Sequence, residues 1–186
     1  MIKTGFGLNI FINNNLANMY ARCGFLKDAH QLFDRMSERT MPSWNGIAAG
    51  YVQGGQSEEV VKLFRQMQQA GMKPNQFTFG SVLSWYAKNA PEEGKQLHAL
   101  VVKSGFEFDL FVQSAIVDMY AKCMSMEDAR KVFDKMPERD VVSWNAVIAG
   151  YAQNGHGEEA LYLLRKMQIA DVKLDEFTFS AVFLGM

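Results

Sequence analysis

Apolar residues along positions 141–175 recur at helical spacing in two short runs separated by a glycine-containing break. In the first run Val147, Ile148 and Tyr151 fall on one face of a helix expected over roughly 143–153. In the second, Ala160, Leu161, Leu164 and Met167 share a face behind Glu158 and Glu159, acidic residues suited to the positive end of a helix. Asn154-Gly155 divides the two, and Gly155 can take the positive φ that ends a helix. A helix pair this small cannot bury its apolar face alone. It needs neighbours of the same kind.

The chain supplies them, because shifting the sequence by 100 residues nearly overlays it on itself. Cys23 then meets Cys123, Trp44-Asn45 meets Trp144-Asn145, Gly50-Tyr51 meets Gly150-Tyr151, and Phe77-Thr78-Phe79 meets Phe177-Thr178-Phe179. Inside that unit lie three versions of the same helix pair, spanning 41–75, 76–109 and 110–140. The expected order is a partial-repeat tail at 1–9, five repeats at 10–40, 41–75, 76–109, 110–140 and 141–175, and the start of a sixth at 176–186. Such a period built from helix-turn-helix units predicts an all-α fold, an α-solenoid wound as a right-handed superhelix in which each repeat packs only on its neighbours. Neither end carries a polar capping repeat, so Phe179, Val182, Phe183 and Leu184 are expected on an open interface prone to end-to-end association.

Composition changes this picture little. Nearly half of the 186 residues are apolar, enough for a line of small interfaces, and the formal charge of −1 argues neither for nor against nucleic acid. Cys23 and Cys123 occupy equivalent positions in different repeats, which predicts separated thiols serving as small core residues in a reducing compartment. No apolar run approaches membrane-spanning length, and nothing at Met1 reads as a signal or transit peptide.

The segments SWNAVIAGYAQNG, MYAKC, DARKVFDKMPERD, KQLHALVVKSGF and GMKPNQFTF strongly resemble plant pentatricopeptide repeat proteins. More narrowly, they resemble the subclass that alternates standard (41–75, 141–175), longer-type (76–109, and the start at 176–186) and shorter-type (10–40, 110–140) repeats. The likeness covers essentially the whole chain, with one departure at Lys88–Glu92, where the middle repeat is one residue short for its variant. The competing tetratricopeptide array, a protein-binding solenoid, has constant 34-residue units, and lengths of 31, 34 and 35 argue against it. The resemblance implies single-stranded RNA binding, one repeat per base read by two or three side chains. It also implies membership of a mitochondrial or chloroplast RNA editing or processing factor, with a protein cofactor of an editing complex as a further partner.

When each repeat is counted from its first residue, positions 5, 9 and 13 share one face of the first helix, with position 2 beside position 5. Position 5 is Asn14, Asn45, Gly80, Ser114 and Asn145, and the last position is Thr40, Asn75, Asp109, Asp140 and Asp175. An asparagine offers donor and acceptor, as reading a base edge requires. The alternative is that these residues cap the helix, although Ser43, Thr78 and Ser143 stand two residues earlier and are expected to do that. By resemblance, Asn145/Asp175 should prefer U, Ser114/Asp140 G, Asn45/Asn75 C or U and Asn14/Thr40 a pyrimidine weakly, while Gly80/Asp109 should be indifferent. Position 2 holds Phe11, Pro42, Phe77, Phe111, Val142 and Phe177, which either stack on bases or form inter-repeat core. Arg22, Lys88 and Lys122 at position 13 either track phosphates or simply solvate a helix end.

Trp44 and Trp144 are expected to pack between repeats, and Tyr20, Tyr51, Tyr120 and Tyr151 to belong to the core. His30, His98 and His156 lack partners at ligand spacing, so no metal or other cofactor is expected. Some relatives in the subclass end in a zinc deaminase domain, whose H-x-E and C-x-x-C signature is absent. The segment therefore reads as a non-enzyme. A protein-interaction scaffold, with the groove or the 76–109 repeat holding a partner, is the second reading, and the polar set at position 5 favours RNA over it.

Overall fold

Two helices per repeat, each ended by a tight turn, is the pattern the computed structural model shows. It describes residues 3–89, 91–176 and 178–180, with side chains from residue 10 onward except at 57, 88, 89, 91 and 92. The helices are α1 (Lys3–Arg22), α2 (Leu26–Asp34), α3 (Met41–Gln53), α4 (Ser57–Gln69), α5 (Gln76–Asn89), α6 (Pro91–Lys103), α7 (Leu110–Lys122), α8 (Met126–Lys135), α9 (Val141–Gln153) and α10 (Gly157–Ile169). Residues 176 and 178–180 are helical as well, and no strand occurs among the described residues. The chain divides into two compact units, Met1–Val82 and Leu83–Met186. In the first, α1 packs on α2 and α3, and α3 on α4; in the second, α7 packs on α6, α8 and α9, and α9 on α10.

Glycine fixes both the turns and the close approaches. Gly155, at φ +78°, ends the first helix of its pair as the Asn154-Gly155 break predicts. Gly150 lies so close to α7 that a Cβ there would sit 2.6 Å from Ala121 Cβ, and at its period mate Gly50 the same atom would sit 2.5 Å from Ala21 Cβ. Neither glycine can be enlarged without separating the first helices of adjacent repeats.

The core between repeats is aromatic. Phe33 meets Trp44 edge-on at 4.7 Å, and 100 residues later Phe133 meets Trp144 at 4.8 Å, with both tryptophans buried. Arg39 and Arg139 cover these phenylalanines with their guanidinium groups at 4.7 and 4.9 Å from the ring centres. Each also donates from Nε to the carbonyl of the phenylalanine it covers, at 3.2 and 3.0 Å, a second donor to a carbonyl that already accepts from the backbone of Met36 or Met136. Two histidines are tied across repeats: His30 Nδ1 to the Tyr51 hydroxyl at 2.8 Å and His98 Nδ1 to that of Tyr120 at 3.1 Å. Burial holds His98 below its ordinary value of 6.5, against the opposing pull of Glu107 and Asp128.

Several sequence expectations meet a different outcome here. Helix α1 runs unbroken from Lys3 to Arg22, across the boundary expected after Asn9. Glycines at 5 and 7 weaken a helix without stopping it, and no proline or cap follows them. Cys23 is exposed and Cys123 half-buried, neither in a disulfide and neither core, because each sits in the turn that closes a first helix and not on its apolar face. Tyr51 and Tyr120 are buried, whereas Tyr20 and Tyr151 are only half-buried. At the short middle repeat, α6 opens on Pro91 two positions after α5 ends, where other pairs have a three-residue turn. Phe179 is 48% exposed, while Val182, Phe183 and Leu184 lie outside the described residues.

Candidate functional site

The last residue of each repeat precedes the next first helix, and at Asn75, Asp109, Asp140 and Asp175 its side chain becomes that helix's cap. Asp109 accepts from the Val112 amide at 3.0 Å, Asp140 from Ser143 at 2.8 Å and Asp175 from Thr178 at 2.8 Å. Asn75 does the same for Thr78 at 3.0 Å, whereas Thr40 makes no side-chain cap. Ser43 and Ser143 are therefore not the caps. Their hydroxyls instead donate back to the carbonyls of Thr40 and Asp140, at 2.7 and 2.9 Å. Nor do Ser114 and Asn145 cap their helices, since Asp109 and Asp140 already do.

This geometry brings position 5 and the last position of the same repeat together, although about 26–30 residues separate them. Asn14 Nδ2 donates to Thr40 Oγ1 at 3.2 Å, Ser114 Oγ lies 3.1 Å from Asp140 Oδ1, and Asn145 Nδ2 lies 3.1 Å from both oxygens of Asp175. Asn45 joins Asn75 through Thr78, whose Oγ1 lies 3.2 Å from Asn45 Oδ1 and 3.0 Å from Asn75 Oδ1. Gly80 is buried and brings no side chain to Asp109. Ser114 is 2% exposed, so at that pair the accessible polar group is chiefly the Asp140 carboxylate.

Two period-related clefts open beside these residues. One, of about 320 Å³, is lined by Val142, Asn145 and Asp175, by Gln153 and Ala149, and by Asp118 and Lys122 of the preceding repeat. The other, of about 270 Å³, is lined by Asn18, Arg22, Gly46, Ala49, Gly50 and Gln53. The position-2 residues are exposed: Phe11 64%, Phe77 58%, Phe111 53% and Val142 60%, with Pro42 exposed as well. Inter-repeat core is thus not their role, and Phe177 lies outside the described residues. Of the position-13 cations, Arg22 is exposed at its cleft, while Lys122 is held by Asp118 Oδ2 at 2.6 Å. The side chain of Lys88 lies outside the described residues. Among the described residues no cluster of three histidine, cysteine or acidic side chains could hold a metal, and no helix is long and apolar enough to cross a membrane.

Sequence reasoning missed three participants. Thr78 and Thr178 touch both members of the preceding pair, and the signal was their place three residues after the last position. Asp118 escaped notice because a carboxylate four residues before a lysine reads as an ordinary helix ion pair.

The chain matches the PPR repeat family over residues 39–88 and 139–186 and the PPR repeat over residues 14–41 and 114–141. A pentatricopeptide repeat-containing protein of Arabidopsis thaliana is 43% identical over 182 residues, covering 97% of this chain and 25% of that protein. A chloroplastic one from the same plant is 38% identical over 183 residues, covering 98% and 22%. Among solved structures, the pentatricopeptide repeat protein PPR10 of maize, in complex with an 18-nucleotide psaJ RNA element, superposes with a TM-score of 0.66 at 23% identity. That match covers 93% of this chain and 32% of PPR10. The nuclear protein-only RNase P 2 of Arabidopsis thaliana superposes with a TM-score of 0.72 at 14% identity, over 94% and 41%. At these identities the two structures speak for the fold alone. The chain spans about a quarter of the length of the curated relatives it matches. Matched by the family over most of its length, it belongs to the pentatricopeptide repeat family.

Proposed function

We propose that this chain is a single-stranded RNA-binding module in which one repeat meets one base, within an organellar RNA editing or processing factor of the subclass alternating standard, longer and shorter repeats. The observation that carries the reading is the convergence of position 5 with the last position, in front of an exposed position-2 side chain. An RNA base needs an edge to hydrogen-bond and a face to stack on, and this arrangement offers both. Relatives named chloroplastic and mitochondrial support the organelle, and the complex of PPR10 with RNA supports the ligand class.

The pairs differ in what they offer. At Asn145/Asp175 one amide proton faces the carboxylate and the other is left for a base oxygen, beside carboxylate acceptors for a base N–H. Uracil presents that acceptor-and-donor pair, whereas the unprotonated ring nitrogen of cytosine would face a carboxylate. At Ser114/Asp140 the single hydroxyl proton lies between the Leu110 carbonyl at 2.9 Å and Asp140 at 3.1 Å, so the pair offers acceptors to the N1–H and amino group of guanine. Asn45 and Asn75 carry no charge and suit C or U, Asn14 with Thr40 suits a pyrimidine weakly, and Gly80 leaves Asp109 without a reader. The expected site, 5′ to 3′, is pyrimidine, C or U, any base, G, U. Selection from a randomised pool of short single-stranded RNAs should enrich this order, weakly and more weakly as salt rises. Enrichment of no sequence would contradict the reading and favour the protein-scaffold alternative.

A further inference from the structure

We propose that Thr78, the third residue of the repeat that follows, sets the base preference of the preceding repeat by fixing the sense of the Asn45 amide, a task that the Asp175 carboxylate performs at Asn145 with Thr178 beside it. This inference rests on the reading that Asn45 and Asn145 meet a base.

An asparagine amide can present its oxygen or its NH2 group, and the two select opposite base edges. The three reading asparagines sit in three settings. At Asn145 the carboxylate of Asp175 only accepts, so Nδ2 must face it, and Oδ1 is turned to Thr178 Oγ1 at 2.6 Å. Thr178 is fully buried and held by its own backbone N–H on Asp175 Oδ1 at 2.8 Å, so its hydroxyl cannot drift away. At Asn45 no carboxylate is present. There the Thr78 backbone N–H already serves Asn75 Oδ1 at 3.0 Å, so the Thr78 hydroxyl, 3.0 Å from that oxygen and 3.2 Å from Asn45 Oδ1, has its proton to give to Asn45 Oδ1 and so mark it off from Nδ2. At Asn14 the corresponding residue is Ser43, whose hydroxyl is spent on the Thr40 carbonyl at 2.7 Å. Asn14 Oδ1 is accordingly buried with no hydrogen-bond partner. Its other contact, Thr40 Oγ1, can donate or accept, so either sense of the amide can be satisfied.

Serine and threonine behave differently at this place for a physical reason. Ser43 and Ser143 both turn onto the preceding carbonyl, while Thr78 and Thr178 both turn onto the side chains of the preceding pair. Each threonine hydroxyl also accepts from the backbone N–H of the last position, at 3.4 Å from Asn75 and 3.3 Å from Asp175, which holds it beside the preceding pair. Threonine therefore locks the NH2 group outward, toward a base acceptor, and serine leaves the asparagine to either sense.

The rival role for Thr78 is purely structural, since the Asn75 amide donates to its hydroxyl at 3.4 Å in a reciprocal cap. Base preference separates the two roles, because a structural defect lowers affinity for every base alike. Equilibrium binding would be measured for four RNAs differing only at the second nucleotide, with wild type and Thr78→Val. Thr78→Val should bring the pyrimidine-over-purine ratio to within about twofold of one, as the amide loses the donor that fixes its sense. Ser43→Thr should sharpen the pyrimidine preference at the first nucleotide, a gain that destabilisation cannot produce. The inference is overturned if Thr78→Val leaves the ratio unchanged whatever the total affinity, or if Ser43→Thr leaves the first preference where it was. A wild-type protein with no preference at the second nucleotide would overturn the RNA reading itself, and this inference with it.

Discussion

Asp140 has two duties at once. Its Oδ1 caps α9 through the Ser143 amide and lies 3.1 Å from Ser114 Oγ, so one carboxylate both starts a helix and completes the candidate base site of the previous repeat. Asp140→Ala should lower stability by about 1 kcal/mol through the lost cap. It should also abolish the guanine preference at the fourth nucleotide, because Ser114 alone is nearly inaccessible. Chemical denaturation and four-base binding measure the two effects separately, and a preference that survives the substitution would remove Asp140 from the site. The residue scale is also where the sequence was least legible. A serine three residues into a helix reads as a cap, yet Ser43 and Ser143 donate backward to carbonyls, and on α9 the cap is Asp140. Composition cannot show which way a hydroxyl turns. The same holds for Cys23 and Cys123, whose apolar character suggested core and whose position in a turn leaves the first exposed and the second half-buried.

Helix pairing was legible because period and glycine spacing state it directly. The words GY at 50–51 and 150–151 mark the point where first helices of neighbouring repeats touch, and Gly150 Cα has no room for a methyl against Ala121. Gly150→Ala should cost about 1–3 kcal/mol by overpacking, seen as a lower thermal midpoint with an unchanged helical spectrum. A neutral substitution would mean that the α7–α9 spacing is loose. The start of α1 was not legible, since the pattern marks repeat frames and a helix can run through a frame that nothing breaks. The cross-repeat bonds of His30 and His98 were hidden too, because the partners lie 21 and 22 residues away and only packing brings them together. His98 carries a pH consequence. Its folded value lies below 6.5, so the unfolded chain binds the proton more readily. The stability this group contributes is complete above about pH 6.5 and is lost as pH falls through its folded value. Denaturant midpoints should therefore drop in mild acid, and His98→Gln should flatten that drop. An identical slope in the variant would assign the acid sensitivity elsewhere.

Across the molecule, the 100-residue period places two clefts at equivalent repeat junctions but gives them different electrostatics. Arg22 stands at one with asparagine nearby, while Lys122 at the other is bound to Asp118 at 2.6 Å. Phosphate neutralisation should thus be uneven along the RNA, and base contacts should carry more of the affinity at the Asn145 end. The pairing of position 5 with the last position holds at Asn14, Ser114 and Asn145 directly and at Asn45 through Thr78, which makes the claim of one repeat per base a single geometric statement. Its sharpest test is Asn145→Ser, which would give the fifth repeat the serine-and-aspartate pair that the fourth already shows. Binding of wild type and variant would be measured to RNAs differing only at the last nucleotide. The account predicts that the preference moves from U toward G with affinity for the best base largely kept. A variant that loses affinity for all four bases equally would make Asn145 a structural residue and contradict the account at its best-formed pair.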